Sequence, residues 1–370
     1  MMTRRAVLAS LIAGTVRPGA AADTTEHVEV FRAGEAGFHT FRIPALLVTR
    51  RGALLAFAEG RRESASDSGE ICVVMKRSSD DGRTWSAPRV VAQRAGYTIG
   101  NPCPVQDRSG GTGRGGRIFL PLTGNPANVS EAQIIRRQVE ARRTVFMTYS
   151  DDDGLTWTGL REITESVRRP NWTWYATGPG VGIQTRRGRL MIPCDHNVEG
   201  QEGSRSHVFF SDDHGATWQL GGGTDGVTTR VTNECQIAEL RDGSLVLNMR
   251  GGNGGVKHRG ITRSTDGGMT WSPVETDEGL PEPVCQASLI AHKGLLYFSN
   301  PAALKRERMT VRVSGDGGKT WRVGKVLYEG PAAYSCLAVL RGGRLGCLYE
   351  RGVRSPYEGI VMARFRPDRA

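Results

Sequence analysis

Residues 78–85 read SSDDGRTW, one of five copies of the pattern Ser-x-Asp-x-Gly-x-Thr-Trp. The other four copies occupy residues 150–157, 211–218, 264–271 and 314–321. Successive copies start 72, 61, 53 and 50 residues apart. One octamer of this kind can arise by chance, whereas five with the same internal order indicate a chain built from repeated structural units.

The chemistry of the octamer favours a tight turn between two β-strands. Its Asp side chain can accept backbone N–H bonds across the turn, and its Gly adopts a positive φ at little cost. The closing Trp supplies a large ring that packs between strands. Strand-like alternation flanks the copies, as in residues 145–149 (VFMTY) before the second one.

We therefore predict an all-β chain in which residues 23–370 form one domain, a six-bladed β-propeller. This stretch divides into six units of roughly 58 residues, a size typical of propeller blades with about four short strands each. We expect the N-terminal strand to pair with C-terminal strands, because this closes the ring and removes free sheet edges. Residues 130–143 predict a short helix in a loop of the second blade, since Ser130 and Gln133 have capping-box spacing.

Composition and charge limit the classes of function. The chain has 370 residues, 38% of them hydrophobic and 24% charged, which excludes a disordered or fibrous protein. The formal net charge of +11 comes from 43 Arg and 6 Lys scattered along the chain. Nucleic-acid binders show a basic stripe with interleaved aromatic residues, so we predict no nucleic-acid partner. No apolar run approaches the roughly 20 residues of a membrane-spanning helix, so we also predict no membrane span.

The first 22 residues have the pattern of an export signal. Arg4 and Arg5 precede an apolar stretch at residues 6–16, and residues 20–22 are the small Ala residues that signal peptidases prefer. The same stretch is similar to a twin-arginine signal, so the general secretory and twin-arginine routes both stay open. We expect a periplasmic or extracellular bacterial protein.

Cysteine and histidine placement argues against covalent or metal cross-links. The seven Cys include no CxxC pair and lie mostly in strand-like apolar runs, which predicts buried thiols rather than a disulfide framework. The seven His show no spacing typical of zinc ligands. We predict no metal site.

Charged residues in apolar strands are the candidates for function, because burying them without a purpose is costly. Arg42 and Arg250 each follow apolar residues, residues 305–311 hold a basic cluster, and Glu350 follows the apolar run at 345–349. Any one of these is more typical of a structural salt bridge. The four together favour a shared site.

Several motifs resemble the exo-α-sialidase (neuraminidase) family of bacterial secreted type, which carries such octamers as Asp-box (BNR) repeats. The resemblance spans almost the whole chain after the export signal, and its motifs are FRIP (41–44), AEGRR (58–62), SASD (64–67), WYATGPG (174–180), NECQ (233–236), PVCQAS (283–288), SNPA (299–302) and GPAAYS (330–335). The fold that it implies is again a six-bladed propeller.

The resemblance implies a binding site for a sugar carboxylate. Family enzymes hold it with three Arg, matched here by Arg42, Arg250 and Arg306, which would give charge-assisted, partly bidentate bonds. Arg306 is preferred to Arg308 from its spacing to residues 309–310. Glu350 matches the acid that holds the first Arg in place.

The resemblance also implies the reacting groups. Asp67 matches the acid/base and Arg61 a further Arg near the substrate. Tyr334 matches the nucleophile and Glu234 the base that activates it. Tyr175 is expected to contact substrate, and its neighbours Trp172 and Trp174 are open to either a stacking or a structural role. If one bound monosaccharide bridges these groups, the Tyr334 phenol oxygen must lie within about 10 Å of the guanidinium cluster.

The implied function is removal of terminal sialic acids from sialylated glycans or glycoconjugates by a retaining glycoside hydrolase without a cofactor. Three alternatives stay open: the same chemistry on another 2-keto acid sugar such as Kdn or Kdo, a non-catalytic sialoside-binding propeller, and transfer instead of hydrolysis. The sequence specifies neither the linkage preference nor the oligomeric state, and a monomer is compatible with it.

Overall fold

β-Strands form nearly all of the regular structure. The computed structural model describes residues 25–109, 115–251 and 257–367. Within these ranges the chain forms twenty-five strands, two α-helices and two 3-10 turns, Glu35–Gly37 and Arg341–Gly343. The predicted export signal lies outside the described residues. None of the described helices is long and apolar enough to cross a membrane.

The largest sheet contains nine strands from the first half of the chain. They are β2 (Thr40–Val48), β3 (Leu54–Arg61), β4 (Ile71–Ser78), β5 (Arg89–Ala92), β6 (Tyr97–Gly100), β7 (Val105–Gln106), β8 (Ile118–Pro126), β9 (Thr144–Ser150) and β10 (Arg161–Glu162). β2 to β5 are antiparallel neighbours in chain order, and so are β8 to β10. One parallel pair between β4 and β6, Ile71 with Thr98, joins the two halves.

Two smaller antiparallel sheets follow. The first has five strands: β11 (Trp172–Thr177), β12 (Ile183–Gln184), β13 (Leu190–Val198), β14 (Ser204–Ser211) and β15 (Gln219–Gly223). The second has four: β16 (Thr232–Glu239), β17 (Leu245–Gly251), β18 (His258–Ser264) and β19 (Glu275–Pro281).

The last sheet joins the two ends of the described chain. Its strands are β1 (Glu26–Arg32), β20 (Ser288–His292), β21 (Leu295–Pro301), β22 (Glu307–Ser314), β23 (Arg322–Val339), β24 (Leu345–Arg351) and β25 (Gly359–Phe365). The long strand β23 pairs with β22 up to Pro331 and with β24 from Ala332 onward. β1 pairs antiparallel with β25 along its whole length. The predicted pairing of the N-terminal strand with a C-terminal strand is confirmed.

The five octamers form the tight turns predicted for them. In the first, the Asp80 carboxylate accepts the Thr84 backbone N–H at 2.9 Å and the Thr84 hydroxyl at 2.6 Å. Ser78 Oγ accepts the backbone N–H of Gly82, whose φ is +83°. The equivalent Gly residues of the other copies also have positive φ, between +80° and +88°. Only a residue without Cβ takes this conformation cheaply, so the Gly of the motif is a conformational requirement.

The helix predicted from residue 130 is shorter than its sequence pattern indicates. α1 spans Glu131–Ile135, and the capping box of Ser130 and Gln133 is present at its start. The described helix ends eight residues before the predicted end, and residues 136–143 form turns and irregular chain. The second helix, α2, spans Thr164–Val167.

The core lies within and between the sheets. All seven Cys are buried and free, as predicted, and they contribute to several separate apolar clusters. Two buried Gln side chains connect neighbouring segments of the chain. Gln236 and Gln286 both donate to the Pro179 carbonyl, at 3.2 and 3.0 Å. Gln286 also exchanges two bonds with the Ser335 backbone. These contacts connect β16, β23 and the segment just before β20, which carry or flank the candidate residues.

Candidate active site

One cavity of about 610 Å³ collects most of the predicted polar residues. They come from segments far apart in sequence, and those lining the cavity are Arg42, Arg61, Asp67, Glu234, Arg250, Arg306 and Tyr334. Five of them lie on strands, whereas Asp67 and Arg306 lie on connections between strands. Together they give the cavity a strongly charged surface.

Tyr334, Glu234 and Arg250 form a hydrogen-bonded triangle. The Tyr334 hydroxyl donates to Glu234 Oε1 at 2.6 Å, and Arg250 Nη1 donates to Glu234 Oε2 at 2.6 Å and to the Tyr334 oxygen at 3.2 Å. The Arg42 and Arg306 guanidinium carbons lie 5.1 and 5.6 Å from the centre of the Tyr334 ring. The phenol and the guanidinium groups are therefore well within the distance that a single sugar can bridge.

Burial keeps the Tyr334 phenol protonated. Desolvation, followed by the negative charge of Glu234, raises the pKa of Tyr334 well above its ordinary value, against the opposing effect of the three Arg. A neutral phenol hydrogen-bonded to a carboxylate can lose its proton only when another group stabilises the phenolate, and Arg250 already touches the oxygen.

Glu350 orients Arg42 from behind the cavity wall. Its carboxylate is fully buried and accepts bonds from Arg42 Nε at 3.0 Å, from the Ile43 backbone N–H at 2.9 Å and from the Tyr334 backbone N–H at 3.2 Å. The pairing of β2 with β3 is irregular between Arg42 and Ala45, and Ile43 has a φ of +60°, which is strained for a β-branched residue. The bond to Glu350 stabilises this bend, which directs Arg42 into the cavity.

Asp67 lies on an exposed connection between β3 and β4. Its side chain is 78% exposed, yet one oxygen lies 2.7 Å from Arg61 Nη2 and 3.5 Å from Arg42 Nη1. Desolvation opposes the charged form, but Arg61 and Arg42 outweigh it and lower the pKa of Asp67. The carboxylate of Asp67 therefore occupies part of the cationic surface in the free protein.

Arg61 has its own buried carboxylate partner, which the sequence analysis missed. Glu59 Oε2 accepts from Arg61 Nη2 at 2.7 Å, and Glu59 Oε1 accepts the Asn101 backbone N–H at 2.9 Å. Glu59 orients Arg61 as Glu350 orients Arg42. The signal was available, because Glu59 is a charged residue at the end of the apolar run at 53–58.

Arg306 and not Arg308 reaches the cavity. Arg306 Nη1 donates to the Tyr357 hydroxyl at 2.7 Å and Nη2 to the Val284 carbonyl at 3.1 Å, whereas Arg308 pairs with the exposed Glu329. The Tyr357 ring also lies 4.2 Å from the Arg42 guanidinium carbon. Tyr357 thus contacts two of the three predicted carboxylate-binding Arg, and sequence reasoning did not single it out.

The aromatic contact predicted for Tyr175 needs correction. Tyr175 is completely buried in an apolar cluster with Trp172 and does not line the cavity, whereas Trp174 does. Successive side chains of a strand point to opposite faces, so in β11 residue 174 faces the cavity and residue 175 the core. The Arg143 guanidinium carbon lies 4.4 Å from the centre of the Trp174 ring. We therefore move the predicted aromatic contact by one position, to Trp174.

No group of three or more His, Cys, Asp or Glu within the described ranges could hold a metal ion.

Comparison with known proteins identifies related chains. Residues 52–347 match the model of the BNR repeat-like domain family. The chain is 30% identical over 370 residues to an exo-alpha-sialidase of Arthroderma benhamiae, and the match covers 89% of this chain and 84% of that protein. The chain belongs to the sialidase family. It is also 33% identical over 357 residues to a sialidase of Micromonospora viridifaciens, of which it spans about half, 53%.

A solved sialidase shows the same fold. The Hadza microbial sialidase Hz136 has a TM-score of 0.81 to this chain at 30% identity, covering 92% of this chain and 68% of that one. The fold is thus the β-propeller of the sialidases, and the cavity described above is the candidate active site of a sialidase family member.

Proposed function

We propose that the protein is an exo-α-sialidase, a retaining glycoside hydrolase that removes terminal sialic acids with Tyr334 as its nucleophile. The observation that carries the proposal is the triangle of Tyr334, Glu234 and Arg250 in a cavity that also presents Arg42 and Arg306. We also propose that the sheets group into six blades, with β23 shared between the last two. Two features support this count. A single parallel residue pair joins β4 to β6 within the nine-stranded sheet, and β23 changes its partner from β22 to β24 after Pro331.

Three guanidinium groups bind the carboxylate of the sugar. Arg42, Arg250 and Arg306 converge around the Tyr334 ring and phenol oxygen, and charge-assisted bonds from planar guanidinium groups are strong and directional. Desolvation opposes the charged form of each Arg, but the pKa of each is raised above its ordinary value. The main raising cause is the Glu350 carboxylate for Arg42, the Glu234 carboxylate for Arg250, and the Cys285 thiol with two phenols for Arg306. All three therefore stay cationic.

A tyrosine suits this substrate better than a carboxylate nucleophile. A sialic acid carries its carboxylate on the anomeric carbon, so an anionic Asp or Glu would be repelled as it approached. A neutral phenol approaches freely and passes its proton to Glu234 as the bond to the anomeric carbon forms. Sialidases are a known exception to the two-carboxylate pattern of glycosidases. The glycosyl-tyrosine intermediate is then hydrolysed with overall retention.

Asp67 acts as the acid and then as the base, and substrate binding prepares it. In the free protein its contacts with Arg61 and Arg42 favour the ionised form. A substrate carboxylate that binds Arg42 takes over one of these cations, so the pKa of Asp67 rises when the substrate is present. The exposed connection that carries Asp67 lets the side chain turn toward the departing oxygen.

The direct test is an assay on aryl α-glycosides of N-acetylneuraminic acid and of Kdn, run side by side. We expect release of N-acetylneuraminic acid, with the α-anomer appearing first in proton NMR because two displacements retain configuration. Release of Kdn alone would move the assignment to that sugar. Saturable binding without turnover of any glycoside would indicate a binding protein and not an enzyme. Formation of sialyl-lactose from added lactose would indicate transfer.

Tyr357 is expected to position the carboxylate site. We predict that Tyr357→Phe raises KM about tenfold, since a hydrogen bond to a charged group is lost, and changes kcat less. The split arises because Arg306 binds the carboxylate in the ground state and the transition state alike. Steady-state kinetics on an aryl sialoside measures both constants.

Tyr328→Phe is the matched control. The Tyr328 hydroxyl donates to the carbonyl of Gly352, which begins the segment between β24 and β25 that also carries Tyr357. Tyr328 does not line the cavity. Its KM should stay within about twofold of wild type, because only a neutral hydrogen bond away from the cavity is lost. Equal KM values for Tyr357→Phe and wild type would show that Arg306 needs no support from Tyr357.

Export stays a proposal from residues 1–22 alone. The proposed substrates, sialylated glycans, are compatible with a periplasmic or extracellular location.

A further inference from the structure

The part of the cavity away from the carboxylate site contains a buried acid that the proposed mechanism does not use. Asp195 lies on β13, is 1% exposed and lines the cavity. Asp195 accepts a hydrogen bond from Asn233, the residue before the base Glu234. Among the described residues it makes no hydrogen bond or ion pair with Arg42, Arg250 or Arg306, so none of the predicted carboxylate-binding groups occupies it.

Only one of the two Asp195 oxygens has a partner. Oδ2 accepts from Asn233 Nδ2 at 3.2 Å, and the same amide nitrogen also donates to Ser204 Oγ at 2.9 Å. Oδ1 is buried and has no hydrogen-bond partner among the described residues. A buried polar atom without a partner is costly and uncommon in native proteins, so a ligand group that reached this oxygen would gain a hydrogen bond that the protein itself does not supply.

The surrounding wall is polar and firmly held. Arg143 donates to the side-chain oxygens of Asn125 and, at 2.8 Å, of Asn101, and it stacks on Trp174. Asn101, Trp174 and Arg143 all line the cavity together with Asp195. A wall of this kind, with an aromatic face and several hydrogen-bonding groups, fits the hydroxyl and amide substituents of a sugar ring.

We propose that Asp195 is a specificity-determining residue whose free Oδ1 makes a hydrogen bond to a hydroxyl or amide substituent of the bound sugar, on the part of the ring away from its carboxylate. This inference rests on the proposed function, because it takes the ligand to be an acidic sugar held by Arg42, Arg250 and Arg306. It assigns to this chain a contact that reads the substituents of the sugar, which the Arg cluster does not do.

The environment favours an uncharged Asp195. Desolvation, followed by the charges of Glu234 and Glu131, raises the pKa of Asp195 well above its ordinary value. A neutral carboxyl has the same shape as the Asn side chain and keeps a carbonyl oxygen. Asn at this position should therefore preserve most of the contact, whereas Ala removes it.

The test crosses two variants with a set of substrates. Asp195→Ala, Asp195→Asn and wild type are assayed on aryl α-glycosides of N-acetylneuraminic acid, of Kdn, of 4-deoxy-N-acetylneuraminic acid and of an analogue with a shortened glycerol chain. Each of the last three sugars differs from N-acetylneuraminic acid in one substituent. The set therefore shows whether Asp195 bonds to the amide or to a hydroxyl group of the sugar. Glu199→Gln, an exposed carboxyl just after β13 that does not line the cavity, is the control.

We expect Asp195→Ala to lower kcat/KM about 10- to 100-fold on the best wild-type substrate, and Asp195→Asn to lower it several-fold less. The loss should vanish on the one analogue that lacks the contacted group, because enzyme and substrate changes that remove the same bond are not additive. An equal loss on every substrate would assign Asp195 a structural role, and no loss at all would mean that water alone fills the site. Either result overturns the inference.

The outcome for wild type separates this inference from the proposed function. If wild type cleaves no glycoside of the set, the proposed function fails. If wild type cleaves and the variants show no substrate-dependent loss, only the assignment of Asp195 fails. Thermal unfolding of each variant checks that the fold is retained.

Discussion

Tyr334→Phe should reduce kcat/KM on sialosides on the order of a thousandfold or more, because it deletes the atom that attacks the anomeric carbon. The ring still fills its place in the apolar cluster with Ile43, Cys285 and Ala333, so the fold should persist. Binding of free sialic acid should be nearly unchanged, because the Arg cluster is intact. Single-turnover kinetics together with calorimetric titration of the sugar measures the two effects.

Tyr349→Phe is the matched control for this variant. Tyr349 is equally buried but belongs to an apolar cluster on the other face of β24 from Glu350. Its activity should stay within severalfold of wild type, since a single neutral hydroxyl is lost. Tyr334→Phe with activity comparable to Tyr349→Phe would mean that the phenol oxygen does not react.

Removal of Asp67 should give an effect that depends on the leaving group. Asp67→Ala is expected to lower kcat/KM on sialyl-lactose about 10²- to 10⁴-fold, the usual contribution of general acid catalysis. On an aryl sialoside whose phenol leaves without protonation, the loss should be much smaller. The comparison of the two substrates under the same conditions measures the acid role directly.

A second expectation for the same variant concerns binding. The Asp67 carboxylate competes for Arg61 and Arg42, so its removal should leave the affinity for sialic acid equal to wild type or higher. Glu63→Gln, an exposed carboxyl on the same connection, should change neither rate nor affinity. An equal loss of Asp67→Ala activity on both leaving groups would assign Asp67 to another role.

The turn framework was predictable because its determinants are local. In each octamer the Ser, Asp and Thr bond within eight residues, and the Gly needs its positive φ regardless of the rest of the fold. The same holds for the capping box of Ser130 and Gln133. The length of that helix was not predictable, since the chain after Ile135 leaves the helical path and Arg143 instead donates to Asn101 and Asn125.

The site was predictable only where a charged residue interrupts an apolar strand or matches a family motif. Arg42 and Glu350 were found in this way, and the structure joins them across 308 positions. Tyr357 was missed because it follows a polar, irregular segment, where a tyrosine carries no signal. Its contact with Arg306 depends on a loop whose path is set by tertiary packing.

The sequence did not predict which of two adjacent aromatic residues, Trp174 or Tyr175, faces the cavity. Trp174 and Tyr175 are both aromatic and adjacent, and only the register of β11 against β13 decides which one faces the cavity. That register is irregular between Trp172 and Tyr175, and a shift of one residue exchanges the two faces. Asp195 was overlooked for a related reason, since its missing partner becomes visible only when all neighbouring strands are in place.

The central claim, that the Tyr334 oxygen is the nucleophile, is tested most directly by trapping the covalent intermediate. A sialic acid with fluorine at C2 and C3 has a good leaving group but turns over slowly, so the glycosyl-enzyme should accumulate. Proteolysis and mass spectrometry should then locate one sugar on Tyr334, and Tyr334→Phe should remain unlabelled. A label on Glu234, Asp67 or another residue, or rapid turnover by Tyr334→Phe, would contradict the account.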